Sequence, residues 1–287
     1  MRTFNTDELS GQQKQALLQS VIAPRPICFA STISEDGKVN LSPFSFFNMF
    51  SIDPPVCVFS PSRRLRDGSA KHTLENLQAI GEVVINIVNY DMVWQTSLAS
   101  CEYPAGENEF IKAGFTMQAS ETIRPPRVAE SPVQMECTVR SILPIDDKPG
   151  SGNLVIADIK RVHVREDLFD PQGRVDPAKL DLVARLGGDW YARITADNLF
   201  EVAKPNVKLG IGMDRLPEVV KNSLLLTPNE MAQLANVETI PAVDAGFLNL
   251  HSGYSKQDDS RIFAEIKSAL EKKDVVLAWN WISLLTG

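Results

Sequence analysis

Hydroxyl, amide and aromatic side chains are concentrated in residues 42–48, which read Ser-Pro-Phe-Ser-Phe-Phe-Asn. An ordinary core strand would be uniformly apolar or would alternate regularly between apolar and polar residues. Small hydroxyls and backbone N–H groups can hold a phosphate, and flat apolar side chains can cover a ring. The stretch therefore suits a planar heterocycle that carries a phosphate, although on the residues alone a hairpin whose phenylalanines fill the core of a barrel is the simpler interpretation.

A second candidate segment, residues 61–73, combines arginines and a lysine with several hydroxyl side chains. It leads into a helix-like run from Thr73 to Ile80, and Gly81 suits the position that follows a helix. The N-terminus of a helix presents free N–H groups, and cationic side chains beside it also favour an anion. The segment is therefore consistent with a phosphate site, but a solvated basic loop with Thr73 as an ordinary N-cap explains it equally well.

Short strands are predicted on both sides of the first stretch. A strand-like run from Ile27 to Ile33 is followed by a turn at Asp36-Gly37, where glycine tolerates the positive φ that such turns require. Two consecutive prolines at 54–55 prevent a helix, and Val56 to Phe59 then resumes as a short buried strand. The polar and aromatic stretch is thus expected between strands that hold it in place.

Further elements are predicted on either side of these strands. Ser10 to Ile22 is expected to form a helix whose capping box joins Ser10 and Gln13. Alternating residues predict a long hairpin from Val133–Leu143 and Leu154–Val164. His163, near the end of that hairpin, could meet a nicotinamide, but a histidine that donates to a backbone carbonyl is the simpler interpretation.

The last third of the chain reads as mostly helical. Short helices are expected over Leu216–Leu226 and Pro228–Val237, and longer ones over Ser260–Lys272 and Val275–Leu285. Residues 247–254 are expected to form a loop or a strand.

Composition limits the classes of function. The chain has 287 residues, of which 44% are hydrophobic, and a formal net charge of −7, which argues against a broad nucleic-acid surface. No apolar run has the length of a membrane span, and the N-terminus lacks the layout of a secretory signal. The four cysteines and three histidines are widely spaced. We therefore expect free thiols, a cytoplasmic location and no metal site.

Residues 25–48 read R-P-I-x-F-x-S-T-x-S-x-D-G-x-x-N-L-S-P-F-S-F-F-N, followed by D-P-P and a short strand. This long ordered pattern resembles the flavin reductase-like family, the FMN-binding split-barrel proteins of the flavoredoxin type. A second match is R-L-G-G-x-x-Y at residues 185–191. Residues 71–77 resemble the family's K-D-T-L-x-N-I element, but His72 stands where aspartate is usual, so its role is open.

The resemblance implies a mainly β fold with peripheral helices. Residues 1–205 would form the FMN-binding split β-barrel, and residues 206–287 a small, mostly helical C-terminal extension of unknown role. Members of the family are homodimers with one FMN near each interface. By resemblance, the ring side of the cofactor site draws on Ser45, Phe46, Phe47, Asn48, Trp190 and Tyr191. The phosphate side draws on Ser31, Thr32, Ser60, Ser62, Lys71 and Thr73.

The implied activity is that of a flavin reductase, in which NAD(P)H gives a hydride to FMN and the flavin passes electrons on. A flavin-dependent or redox partner protein is among the acceptors that the resemblance implies. No catalytic side chain is required, because the hydride chemistry belongs to the flavin. No glycine-rich dinucleotide fingerprint follows a strand, so NAD(P)H is expected to bind only transiently. Three alternatives stay open: an FMN-carrying electron-transfer protein, a non-catalytic barrel used for partner contact, and a barrel that binds heme or deazaflavin.

Overall fold

The computed structural model describes residues 1–104, 106–202, 209–254 and 259–286. The chain forms two compact units, Met1–Phe200 and Glu201–Gly287. The boundary that the sequence predicts, between residues 205 and 206, lies outside the described residues and stays a prediction.

The first unit is built on antiparallel strands. In chain order they are β1 Cys28–Ile33, β2 Val39–Phe44, β3 Phe47–Ile52, β4 Pro55–Phe59, β5 Glu82–Ile87, β6 Met117–Gln118, β7 Arg127–Val128, β8 Val133–Pro144, β9 Asn153–Val164, β10 Val183–Arg185 and β11 Tyr191–Arg193. Seven of them form one sheet in the order β2-β1-β5-β8-β9-β4-β3. The pairs β6–β7 and β10–β11 form two small separate sheets.

The predicted long hairpin and the predicted turn at Gly37 are confirmed. Strands β1 and β2 pair in antiparallel register across a turn in which Gly37 has a φ of +83°. The long β8–β9 hairpin extends one residue beyond the predicted bounds at Pro144 and at Asn153. Residues 42–48 are shared between β2, a two-residue connection and β3. The polar and aromatic stretch therefore crosses from one edge of the sheet to the other.

Alternation along the strands divides the core in two, because successive side chains of a strand point to opposite faces. Cys28 and Ala30 pack with Phe44 and Phe59 in one cluster. Phe29 packs instead with Leu41 in the second cluster, together with residues of the helices that follow β5. The cysteines are free thiols in this structure, in agreement with the prediction from their spacing.

The helices of the first unit are α1 Gly11–Val21, α2 His72–Ile80, α3 Val93–Leu98 and α4 Glu109–Ala113. The capping box of α1 is confirmed, since the Ser10 side chain accepts from the Gln13 backbone and the Gln13 side chain accepts from the Ser10 N–H. Gly81 ends α2 in the left-handed conformation at φ +72°. These two helices lead into β1 and β5, respectively.

The second unit is helical, as the sequence predicts. Its helices are α5 Glu218–Lys221, α6 Pro228–Ala235, α7 Ala245–Leu250, α8 Asp259–Glu271 and α9 Val275–Thr286. They enclose a hydrophobic core of their own, which includes Leu234, Ile262 and Ile282. The indole N–H of Trp279 on α9 donates to the Leu234 carbonyl of α6 at 3.1 Å. Residues 247–250 belong to helix α7, so the expectation of a loop or strand is wrong for them, whereas residues 251–254 form a turn as a loop would.

Candidate functional site

A small cavity opens at the N-terminus of α2, with a volume of about 70 Å³. Its walls are formed by β2, the basic segment of residues 61–73, the start of α2, the loop after α3 and the start of α4. The lining residues are Asn40, Ser42, Arg64, Lys71, His72, Thr73, Ser100, Cys101, Glu102, Tyr103 and Glu109. We call this cavity the cationic pocket, because Arg64 and Lys71 lie in it together.

Lys71 is half-buried in this pocket. Burial lowers the pKa of its ammonium group, and the nearby charge of Arg64 lowers it further, whereas Glu102 opposes the shift. Its Nζ lies 5.1 Å from the centroid of the Phe44 ring. Among the described residues, the Lys71 side chain has no hydrogen bond and no ion pair. Its charge is therefore poorly compensated, and a bound anion would compensate it.

Arg64 is held in a fixed position beside Lys71. Its Nη1 donates to the Ser69 hydroxyl at 3.0 Å and to the Ala70 carbonyl at 2.6 Å, and its Nε donates to Glu102 at 3.1 Å. No side chain caps the first turn of α2, which begins at the pocket. Two cations and a helix N-terminus without a side-chain cap form an arrangement that suits a phosphate.

A buried hydrogen-bonded chain forms the floor of the pocket. Thr73 donates to Asn40 at 2.7 Å, and the Asn40 amide donates to Glu109 at 2.9 Å. The other Glu109 oxygen accepts from the backbone N–H of Leu41 at 2.9 Å. Burial raises the pKa of Glu109, and these hydrogen bonds oppose the shift. These hydrogen bonds fix the start of α2 against β2 and α4.

Sequence reasoning missed Asn40 and Glu109 in this floor. Asn40 belongs to the N-L-S-P-F motif, so its place in the motif could have pointed to it. Glu109 carries no local signal, since only the folded chain brings α4 to β2.

The six residues predicted for the phosphate side occupy three different environments. Lys71 and Thr73 line the cationic pocket. Ser31 and Thr32 are buried in β1, where the Thr32 hydroxyl accepts from Asn76 at 3.0 Å and the Ser31 hydroxyl has no partner among the described residues. The remaining two are Ser60 and Ser62, and neither lines the pocket.

Ser60 connects the end of β4 to the start of β9. Its buried hydroxyl accepts from the backbone N–H of Asn153 at 3.1 Å. Gly152 lies so close that a Cβ atom there would be 2.7 Å from the Ser60 oxygen. Contact of these serines with a cofactor stays a prediction.

Four of the residues predicted for the ring side, Ser45 to Asn48, lie around the end of β2 and the start of β3. Phe46 is 45% exposed, whereas Phe47 packs against the core. Asn48 is exposed, and its side chain accepts from the Met49 backbone at 2.8 Å. The Ser45 hydroxyl accepts from Arg25 Nε at 3.4 Å. Phe46 and Asn48 are therefore accessible, and their role at a ring stays a prediction.

Arg25 joins the two strongest sequence motifs. Its buried guanidinium donates to Ser45 and, at 2.9 Å, to the carbonyl of Leu186 in the R-L-G-G segment. The backbones of Arg25 and Arg185 also exchange hydrogen bonds of 3.0 and 2.9 Å. Segments 160 residues apart thus form one wall of the first unit, which the sequence alone did not show.

Trp190 and Tyr191 lie on the surface of this wall. Trp190 is 75% exposed, and Tyr191 stacks beneath the Arg185 guanidinium, with 4.5 Å between the charged carbon and the ring centroid. Neither residue lines the cationic pocket. Their position at the border of a flavin stays a prediction.

Gly187 is required by packing against α1. A Cβ atom at this position would overlap the backbone and side chain of Ser20. We expect Gly187→Ala to lower the free energy of unfolding by about 2 kcal/mol, as overpacked sites commonly do. Thermal or urea unfolding would measure the loss. Gly11→Ala in the same helix is the matched control and should be neutral, since its Cβ would meet only Leu65 at 3.5 Å. Equal stability of both variants would contradict the packing argument.

The two histidines whose roles the sequence left open, His72 and His163, have different surroundings. His72 lines the cationic pocket. His163 lies away from it, and its Nε2 is 2.9 Å from the buried carboxylate of Glu136. The partner of His163 is therefore a carboxylate and not the backbone carbonyl of the simpler interpretation. Arg127, the first residue of β7, also lies near Glu136, with 3.9 Å between its Nε and a carboxylate oxygen. These three residues form a structural network.

Comparison with known proteins identifies the family. Residues 21–179 match the family described as the flavin reductase like domain. The chain belongs to this family. It is 35% identical, over 206 residues, to an uncharacterized protein of Halalkalibacterium halodurans, a match that covers 71% of this chain and 97% of that relative. The C-terminal unit lies outside the residues that match the family.

Solved structures of the family have the same fold. Nitrilotriacetate monooxygenase component B from Bacillus cereus superposes with a TM-score of 0.66 at 30% identity, covering 70% of this chain and 98% of that one. The 2-nitrobenzoate 2-nitroreductase of Pseudomonas fluorescens gives 0.61 at 27% identity, covering 72% and 98%. A protein with a split barrel domain from Shewanella frigidimarina gives 0.61 at 24% identity, covering 71% and 100%.

These findings confirm the split-barrel fold and support a flavin-binding oxidoreductase type of function. Within the described residues, no helix has the length and apolar character needed to cross a membrane. In the same part of the chain, no group of three or more histidine, cysteine or acidic side chains is arranged to hold a metal ion.

Proposed function

We propose that this protein is a flavin reductase that binds FMN and accepts a hydride from NADH or NADPH. The observation that carries the proposal is the cationic pocket, in which the half-buried ammonium of Lys71, without an ion pair among the described residues, lies beside Arg64 at the start of α2. A phosphate dianion is the ligand whose charge this arrangement suits. The family membership supports a flavin as the molecule that carries the phosphate.

In this proposal the residues of the chain bind and orient the cofactor. The phosphate would be held by Lys71, Arg64 and the first turn of α2. The hydrogen bonds that run from Thr73 through Asn40 to Glu109 keep that turn in place. The accessible residues around Phe46 would lie toward the ring. The flavin supplies the redox chemistry when bound, since it accepts a hydride and passes the electrons on.

The proposal includes a homodimer in the cytoplasm. Strand β3 is at one end of the sheet, and its Met49, Phe50 and Ile52 are 61%, 69% and 79% exposed. An apolar edge strand of this kind favours burial against another chain. The free cysteines are compatible with a reducing compartment. Sedimentation analysis tests the dimer, which should have twice the 31.7 kDa mass of the chain.

Absorption spectroscopy tests the proposed activity. The purified protein is titrated with FMN, and NADH or NADPH is then added without oxygen. We expect the visible absorption of the oxidised flavin to bleach with at least one of the two nucleotides, because the reduced flavin has accepted the hydride. A flavin that binds but stays oxidised would leave an electron-transfer protein as the better description. A protein that takes up no FMN would refute the proposal.

A further inference from the structure

Two carboxylates, Glu102 and Glu109, line the cationic pocket together with its two cations. Glu109 is buried, and its two oxygens accept from the Asn40 amide and from the backbone N–H of Leu41, each at 2.9 Å. Glu102 lies in the loop after α3, and its side chain is 56% exposed. Of the two carboxylates, Glu102 alone can therefore turn into solvent without breaking a buried hydrogen bond.

Glu102 lies between two arginines of the basic segment. One of its oxygens is 3.1 Å from Nε of Arg64, whose side chain is 18% exposed, and the other is 3.6 Å from Nη1 of Arg66, whose side chain is 75% exposed. Arg64 lines the pocket, whereas Arg66 does not. Asp67 accepts from Nε and Nη2 of Arg66, which leaves Nη1 for Glu102. The Glu102 carboxylate thus has an inner and an outer cationic partner, and it can keep the outer one when it leaves the inner one.

The other contacts of Arg64 hold its guanidinium in place without Glu102. Its Nη1 donates to the Ser69 hydroxyl and to the Ala70 carbonyl, whereas Glu102 accepts from Nε. Departure of the carboxylate would therefore leave a positioned guanidinium whose Nε–H can donate to another anion. The ion pair that is lost is partly exposed, and such pairs contribute little to stability, so the exchange costs little.

We infer that Glu102 is an exchangeable counter-ion, which pairs with Arg64 until a phosphate dianion displaces it toward Arg66. The inference rests on the proposed function, because the phosphate concerned is that of FMN. A singly charged anion would gain little over the carboxylate already at Arg64. A dianion also compensates the charge of Lys71, which has no ion pair among the described residues. Glu102 thus determines how tightly the pocket binds a phosphate and favours a doubly charged one.

Calorimetric titration of the full chain with FMN and with riboflavin tests the inference. Glu102→Gln removes the charge and keeps the size of the side chain. We expect it to tighten FMN about fivefold and to change riboflavin by less than about twofold, because riboflavin has no phosphate to compete for Arg64. Glu107→Gln is the matched control, since Glu107 is also a partly exposed carboxylate in an ion pair, with Lys112 at 3.0 Å, but does not line the pocket. It should change FMN by less than about twofold.

A double-variant cycle separates this exchange from a general effect of charge. In an Arg64→Gln background the guanidinium for which the two anions compete is absent. Glu102→Gln should then change the affinity for FMN by less than about twofold. A gain of about fivefold in this background as well would show that Glu102 acts on FMN without Arg64, and it would refute the exchange.

The outcomes separate this inference from the proposed function. If the wild type binds and reduces FMN while Glu102→Gln leaves FMN unchanged or weakens it, the exchange is refuted and the reductase stands. Equal gains for the Glu102 and Glu107 variants, or equal gains for FMN and riboflavin, would also refute the exchange. If neither the wild type nor any variant binds FMN, both the proposed function and the exchange are wrong.

Discussion

Replacing Lys71 with methionine should weaken FMN by about 30-fold and leave riboflavin within about threefold, because only FMN carries the phosphate dianion. Methionine preserves an apolar stem against the Phe44 ring, so the change removes mainly the charge. Titration of both flavins by fluorescence quenching measures the difference. The loss for FMN should shrink as salt is added, since salt screens the charge that the variant lacks.

The stability of the flavin-free variant gives a second, independent measurement. Burial lowers the pKa of Lys71, so the folded state disfavours its charged form. Below that lowered pKa the charge costs stability, and Lys71→Met should therefore unfold at the same temperature as the wild type or above it. Lys160→Ala, on β9 and outside the pocket, is the control for a generic loss of positive charge. Equal weakening of FMN and riboflavin, or a lower unfolding temperature, would assign Lys71 a structural role.

Glu136→Gln should lower the free energy of unfolding by about 2 kcal/mol at neutral pH. The Glu136 carboxylate is fully buried and accepts from Glu121 N at 2.8 Å, Thr122 N at 2.7 Å and the His163 ring at 2.9 Å. It also accepts from the Thr122 hydroxyl. Burial alone would raise the pKa of Glu136, but these hydrogen bonds lower it from 4.5 to about 2. Glutamine supplies only one acceptor oxygen, so donors of this network lose their partner.

The same pKa shift determines how stability depends on pH. The folded pKa of Glu136 lies below the unfolded one, so its contribution is complete above the unfolded value of 4.5. It is lost as the pH falls from 4.5 toward 2, and urea unfolding between pH 7 and pH 3 should follow this loss. The Glu136→Gln variant should show a shallower dependence. Glu121→Gln, half exposed in the same network, is the control and should cost less than about 0.5 kcal/mol. If both variants lost a similar amount of unfolding free energy, the stabilisation could not be assigned to the buried carboxylate of Glu136.

Local patterns were sufficient for most elements of the first unit. The capping box of Ser10 and Gln13 and the glycine turn at Gly37 depend on residues within a few positions of one another. The alternation in residues 133–164 predicts the long hairpin for the same reason, since the period of a strand is visible in the chain itself. The ordered motif at residues 25–48 also identified the family, because its length makes a chance match improbable.

Local patterns were misleading where a segment depends on its neighbours in space. Residues 247–254 contain aromatic residues and a glycine that favour a loop or a strand, yet α7 is helical. There Phe247 packs against Trp281 of α9, with ring centroids 4.9 Å apart. Tertiary packing overrides weak local preference in short helices, since most helical stability in proteins comes from an apolar face that is buried.

The sequence by itself determined strands β1, β4, β8 and β9, the basic segment before α2 and the family to which the chain belongs. Only the tertiary structure decided that Lys71 and Arg64 share a pocket with Glu109, and that Arg25 binds the segment at Leu186. It also showed that Ser31 and Thr32 are buried away from that pocket. The reason is physical: strand period and capping are properties of neighbouring residues, whereas burial and charge compensation depend on groups that come together only when the chain folds.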